Sequence, residues 1–172
     1  MPDIKINPLT KLHADIEARV NAIRNKNADW LCRQGCDGCC HRLAEIPLLT
    51  AAEWKLLRDG LDALPQARQQ AIRQDIAALA AKPSRPIVCP MLDREQGSCL
   101  VYAHRPVACR TYGFYVQREL GLYCQDLESL VASGALAEVV WGNHDAIDHR
   151  LSSLGDTREL TAWFTLWKHD MD

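Results

Sequence analysis

The sequence predicts a mainly α protein, a single domain of helices framing a loop-rich, cysteine-lined centre with at most a few short strands. Three observations carry this. Apolar residues recur at three- and four-residue steps over the first and last parts of the 172-residue chain. Helix-start and helix-stop residues bracket those runs. Between Ser84 and Gly113, prolines and turn residues break the texture into short pieces. The length lies close to the usual range of one domain, so metal is not needed to compensate for smallness.

A first helix is expected from about Leu9 to Asp29, where Leu9, Leu12, Ile16, Val20 and Ile23 form one face and Trp30 extends it. Thr50 followed by Glu53 makes a capping box, in which hydroxyl and carboxylate satisfy free backbone donors, and starts a helix through Leu61. Pro65 opens the next helix, with Ile72, Ile76 and Leu79 on its inner face and Lys82 and Pro83 at its end. The segment that follows reads as loop and short strand: Pro86, Pro90 and Pro106, a turn over Asp93 to Gly97, and apolar pieces at Ile87 and Val88 and at Leu100 to Tyr102. The tail returns to helix around Leu127, Leu130 and Val131, then Leu136, Val139, Val140 and Ile147, and finally in a Thr157-capped run with Leu160, Trp163, Phe164 and Trp167. Trp163 and Trp167, one helical turn apart, read as core.

Charge excludes some functions. Twenty basic and 22 acidic residues give a formal net charge of −2, with no excess to draw the chain to nucleic acid or a membrane surface. Aromatics are 6%, and motifs that stack bases on sheet aromatics are absent. Met1 to Pro8 lacks the charged head and apolar middle of an export signal, and no stretch approaches the roughly 20 apolar residues of a membrane span. The expectation is a soluble cytoplasmic protein whose thiols stay reduced, a setting in which clustered cysteines serve metal rather than disulfides.

All eight cysteines lie between residues 32 and 124: Cys32, Cys36, Cys39, Cys40, Cys89, Cys99, Cys109 and Cys124. Four fall within Cys32 to Cys40, a loop too polar to need small hydrophobes. Cys36 and Cys39 have the two-residue spacing that turns two thiolates onto one ion, with Gly38 free to adopt a positive φ. On an extended backbone Cys39 and Cys40 would point to opposite sides, so Cys40 faces a second metal, joins the downstream cysteines or remains a thiol. His41 reads as a solvated or supporting residue more than a ligand. The downstream cysteines lack the second C-x2-C knuckle usual for structural zinc, which leans the reading toward an iron-sulfur cluster such as 4Fe-4S, with zinc close behind.

These residues, with Cys89 to Leu92 and Cys99 to Tyr112, resemble the YkgJ-type cysteine-cluster family, described as zinc- or iron-chelating. The resemblance covers roughly residues 30 to 125 and implies metal chelation by all eight cysteines. The first spacing here is three residues where the family label gives two, which leaves ligand pairing open. Some relatives resemble enzymes of protein methylation, but no glycine-rich cofactor loop, Ser/His/Asp arrangement or paired carboxylates can be identified. Arg105 and Arg110 are candidates to offset thiolate charge, and Tyr102 and Tyr112 to pack against the centre. His144 to His149 reads as a solvated polar face: His144 pairs with Asp148, or Asp145 with His149, supplying only two ligands each. The expected function is thus metal binding, redox or cluster-dependent; the alternatives are a closed structural zinc site in a protein-interaction module and an enzyme related to protein methylation. A protein partner or substrate is not specified by the residues.

Overall fold

The computed structural model describes residues 7–82 and 85–169. Residues 1–6, on which most of the N-terminal reading rests, and Pro83, read as a helix stop, lie outside them. The protein is mainly α, with a few short two- and three-stranded sheets. Its contacts divide it into two compact units, one of Met1–Leu31 and Val107–Gly155, the other of Cys32–Pro106 and Asp156–Asp172.

In the first unit, α1 (Pro8–Lys26) starts where Asn7 accepts a 2.9 Å hydrogen bond from the Leu9 amide, and it buries Leu9, Leu12, Ile16, Val20 and Ile23 as the periodicity requires. It ends three residues earlier than expected because Asn27 turns the chain, and Trp30 is buried beyond the helix rather than on it. Trp30 stacks on Phe114 at 5.8 Å and packs against Trp141 at 5.6 Å. The same unit holds α5 (Val107–Thr111), β4 (Tyr115–Gln117), β5 (Leu120–Gly121), α6 (Gln125–Ala132), β6 (Gly142–Asn143) and α7 (His144–Ser152). β4 lies between an antiparallel β5 and a parallel β6. Leu136, Val139 and Val140 lie outside any helix, and Asn143 caps α7 with hydrogen bonds from the Asp145 and Ala146 amides. His144 is not the solvated residue expected. Its side chain is 13% exposed and its ring stands edge-on to Tyr115, with Nδ1 3.3 Å from Asp148.

The second unit carries α2 (Gly38–His41), β1 (Leu48–Thr50), α3 (Ala51–Asp62), α4 (Gln66–Ala81), β2 (Leu92–Asp93), β3 (Ser98–Cys99), a 3-10 turn (Tyr102–His104), β7 (Thr157–Glu159) and α8 (Leu160–His169). The capping box forms: Thr50 Oγ1 accepts from the Glu53 amide, and the Glu53 carboxylate accepts from the Thr50 amide. Pro65 sits one position before α4, at its N-cap. Thr157 does not cap the last helix. It lies in β7 opposite Thr50, because exposed Thr157–Glu159 pair antiparallel with β1 and the helix begins only at Leu160. Trp163 and Trp167 are core, as their spacing suggested. They pack with Trp54, Leu57, Leu61, Ile72 and Ile76, and their ring N–H groups donate to the Leu49 carbonyl and the Asp62 carboxylate. Removing either ring would cost roughly 3–5 kcal/mol. Among the described residues no helix is long and apolar enough to cross a membrane.

Candidate metal centre

Six of the eight cysteines belong to the second unit, and the chain there is folded to bring four of them together. Asp37 precedes α2 and accepts the Cys40 amide through its carbonyl, while its carboxylate binds His41 Nε2 at 2.9 Å. His41 is therefore engaged with Asp37. Cys39 and Cys40 occupy successive positions on this short helix, where the step is about 100° per residue rather than the near-180° of a strand. Their thiols hydrogen-bond to each other, so the expectation that they point to opposite sides is corrected. Gly38 opens α2 without a positive φ; the left-handed turn falls at Gly35, φ 91°.

The partners come from the loop after α4. The Cys89 amide donates to the Cys40 carbonyl at 2.7 Å, and Leu43 pairs with Ile87 in an antiparallel bridge. This seam places the Cys89 thiol in a hydrogen bond with Cys40. Beyond it, β2 and β3 form a hairpin in which Cys99 faces Leu92, with the Asp93 carboxylate closing the turn by accepting from the Glu95 and Gln96 amides. The Cys99 sulfur is near enough to Cys39 and Cys40 to interact electrostatically with both. Cys40 has thus joined the downstream set.

Electrostatics mark the Cys39, Cys40 and Cys99 sulfurs as costly to ionise without a cation. The Cys39 thiol is pushed up by its hydrogen bond with Cys40, by burial and by the neighbouring Cys40 charge, against an opposing pull from Arg105. At Cys40 the hydrogen bond from Cys39 favours the thiolate, but the bond with Cys89, burial and the Cys89 and Cys99 sulfurs together push it up to about 12. Burial raises Cys99, opposed by the Val101 backbone and Arg105. Arg105 therefore serves two of the four sulfurs. It is held by its Nε donating to the Tyr102 carbonyl at 2.9 Å and by stacking on the Tyr102 ring, 3.5 Å from the centroid.

A thiolate-binding metal suits the chemistry of this donor set: Cys40 hydrogen-bonds to Cys39 and Cys89 and interacts electrostatically with Cys99, so a cation would relieve the repulsion and the Arg105 guanidinium offset residual charge. Among the described residues no group of three or more Cys, His, Asp or Glu side chains is arranged to hold a metal ion, and the Cys40 thiol instead hydrogen-bonds to Cys39 and Cys89. Ligation would complete the geometry as protons leave. All eight cysteines are thiols, with no disulfide among them.

The remaining sequence-expected residues fall on other segments of the chain. Cys32 is half-buried and Cys36 exposed in the loop ahead of α2. Cys109 and Arg110 lie on α5, Tyr112 follows it, and Cys124 is the N-cap of α6; all four belong to the first unit. Arg110 stands near His13, whose ring burial holds at about 4 with its help. Two supporting residues escaped the sequence reading. A Cβ on Gly60, in the last turn of α3, would stand 2.6 Å from the His104 ring, so this glycine lets the 3-10 turn leading to Arg105 lie against the helix. Gly97 has φ 60° and accommodates the Asp37 carboxylate at 3.1 Å from its missing Cβ. A glycine inside a helix pattern is the signal that could have found the first.

No curated protein and no solved structure matches the chain. Residues 31–128, more than half of it, match the family model described as "Putative zinc- or iron-chelating domain". With its eight thiols and that match, the chain belongs to the CxxCxxCC family of zinc- or iron-chelating cysteine domains.

Proposed function

We propose that the chain chelates metal through Cys39, Cys40, Cys89 and Cys99, and that in the reducing cytoplasm it holds iron as an iron-sulfur cluster. The observation that carries this reading is the gathering of thiols from three chain segments around Cys40, which hydrogen-bonds to Cys39 and Cys89 and interacts electrostatically with Cys99, with the Arg105 charge acting on Cys39 and Cys99. Iron stands ahead of zinc because successive cysteines on one helical turn suit a cluster, whose separate irons accept separate thiolates. Zinc would also accept four thiolates, at a net charge of −2 that Arg105 would partly offset. Cys32, Cys36, Cys109 and Cys124 are the further thiolates this reading makes available as ligands. A bound cluster would supply one-electron chemistry; the chain's own part is to gather the thiols, shield them and set their charge.

Anaerobic purification followed by metal and acid-labile sulfide analysis with a visible spectrum tests the proposal. Iron with sulfide and charge-transfer bands supports it. Colourless protein with zinc and no sulfide replaces it with a closed structural zinc site, and folded protein that takes up neither metal sinks both.

A further inference from the structure

Cys40 and Cys89 are joined twice. Their thiols hydrogen-bond, and beneath them the Cys89 amide donates to the Cys40 carbonyl at 2.7 Å. The seam continues through the Leu43 amide on the Ile87 carbonyl at 2.9 Å and the Arg85 guanidinium on the Ala44 carbonyl at 2.6 Å. The backbone hydrogen bond and the thiol–thiol hydrogen bond together hold the two residues side by side, the closeness that a disulfide requires. Cys39 also touches Cys40, but a bond between sequence neighbours closes a small ring that the α2 backbone would have to unwind to accept. Both Cys40 and Cys89 are half-buried rather than sealed from solvent.

We infer that Cys40 and Cys89 are a disulfide-forming pair, a modification site through which a small hydroperoxide withdraws two of the four sulfurs. The bond rests on the geometry of the pair alone; its consequence for metal rests on the chelation proposed above. In the first step a thiolate of the pair attacks one peroxide oxygen, the O–O bond breaks, hydroxide leaves and a sulfenic acid forms. The second thiolate attacks that sulfur, the S–S bond forms, the S–O bond breaks and a second hydroxide leaves. Two thiolates lose two electrons and hydrogen peroxide gains them, the hydroxides taking protons from solvent to become water. A dithiol reverses the change by exchange.

The test treats the anaerobically purified protein with stoichiometric hydrogen peroxide, blocks remaining thiols, maps linked peptides by mass spectrometry, and follows metal release with a chromophoric chelator. The expected result is a dominant Cys40–Cys89 link, metal affinity lowered by more than about tenfold, and recovery of both thiols and metal uptake with dithiothreitol. Cys36→Ser should leave the link intact and Cys89→Ser abolish it. A dominant link between any other pair, or over-oxidation of Cys40 without a link, overturns the pairing, and this reading on the unaltered chain does not depend on the variants folding. A Cys40–Cys89 link with metal still bound overturns the regulatory consequence. If the protein holds no metal yet forms the link, the chelation reading fails while the disulfide pair stands.

Discussion

The Arg105 guanidinium lies over the Tyr102 ring, 3.5 Å from its centroid, and donates through Nε to that residue's carbonyl at 2.9 Å. One residue thus fixes, by stacking and by a hydrogen bond, the cation that faces Cys39 and Cys99. Removing the charge should weaken metal binding without unfolding the chain. Arg105→Gln is expected to lower metal affinity about 10- to 100-fold, and Tyr102→Leu, which leaves the carbonyl but removes the platform, to lower it less. Competition with a chelator of known affinity measures both; equal affinity in Arg105→Gln and the parent protein would remove Arg105 from the site.

Gly60 gives a second, opposite-signed test. Alanine is favoured over glycine in a helix interior by about 1 kcal/mol, so a helix-propensity argument alone predicts stabilisation. The His104 ring occupies the place of the new methyl group, and overpacking of this kind costs about 1–3 kcal/mol. Gly60→Ala should therefore lower the urea midpoint, with a smaller fall when combined with His104→Ala.

His13 sets a pH dependence in the first unit. Burial first, and Arg110 second, lower its pKa from 6.5 to about 4, and its Nε2 is buried with no hydrogen-bond partner among the described residues. Between those values the unfolded chain binds a proton that the folded chain refuses. The contribution is thus fully present above about pH 6.5 and is lost as pH falls toward 4. The half-buried ring is partly screened, so the loss is about 1–2 kcal/mol rather than the full shift. Denaturant titrations across this window should show a shallower decline in His13→Gln.

The helices were legible because their signals are local. The face of α1, the Thr50–Glu53 box and the Trp163–Trp167 spacing each depend on residues within a few turns of one another, and each appears as read. Most of what failed depended on distant partners. Thr157 is a good cap by residue type, but its pairing with Thr50 across the chain makes it a strand. Cys39 and Cys40 diverge only if the backbone is extended, and the Asp37-led turn makes it helical. His144 looked solvated until the Tyr115 ring was placed beside it. The cysteines themselves were visible; that Cys40 meets Cys89 was not, since the seam between Leu43 and Ile87 joins segments separated by two helices.

That seam ranks the cysteines in a substitution series. Cys40 touches both Cys39 and Cys89 and interacts with Cys99, so it is the most connected sulfur of the four. Cys40→Ser should cause the largest loss of bound metal, followed by Cys39→Ser, Cys89→Ser and Cys99→Ser, each of which removes one thiolate from the same group. Cys36, exposed in its loop, should lose least when replaced by serine. Metal per chain after anaerobic purification gives the order, and far-ultraviolet circular dichroism separates ligand loss from unfolding. A Cys36→Ser protein emptied of metal while Cys40→Ser stays loaded would invert the ranking and move the centre to the exposed loop.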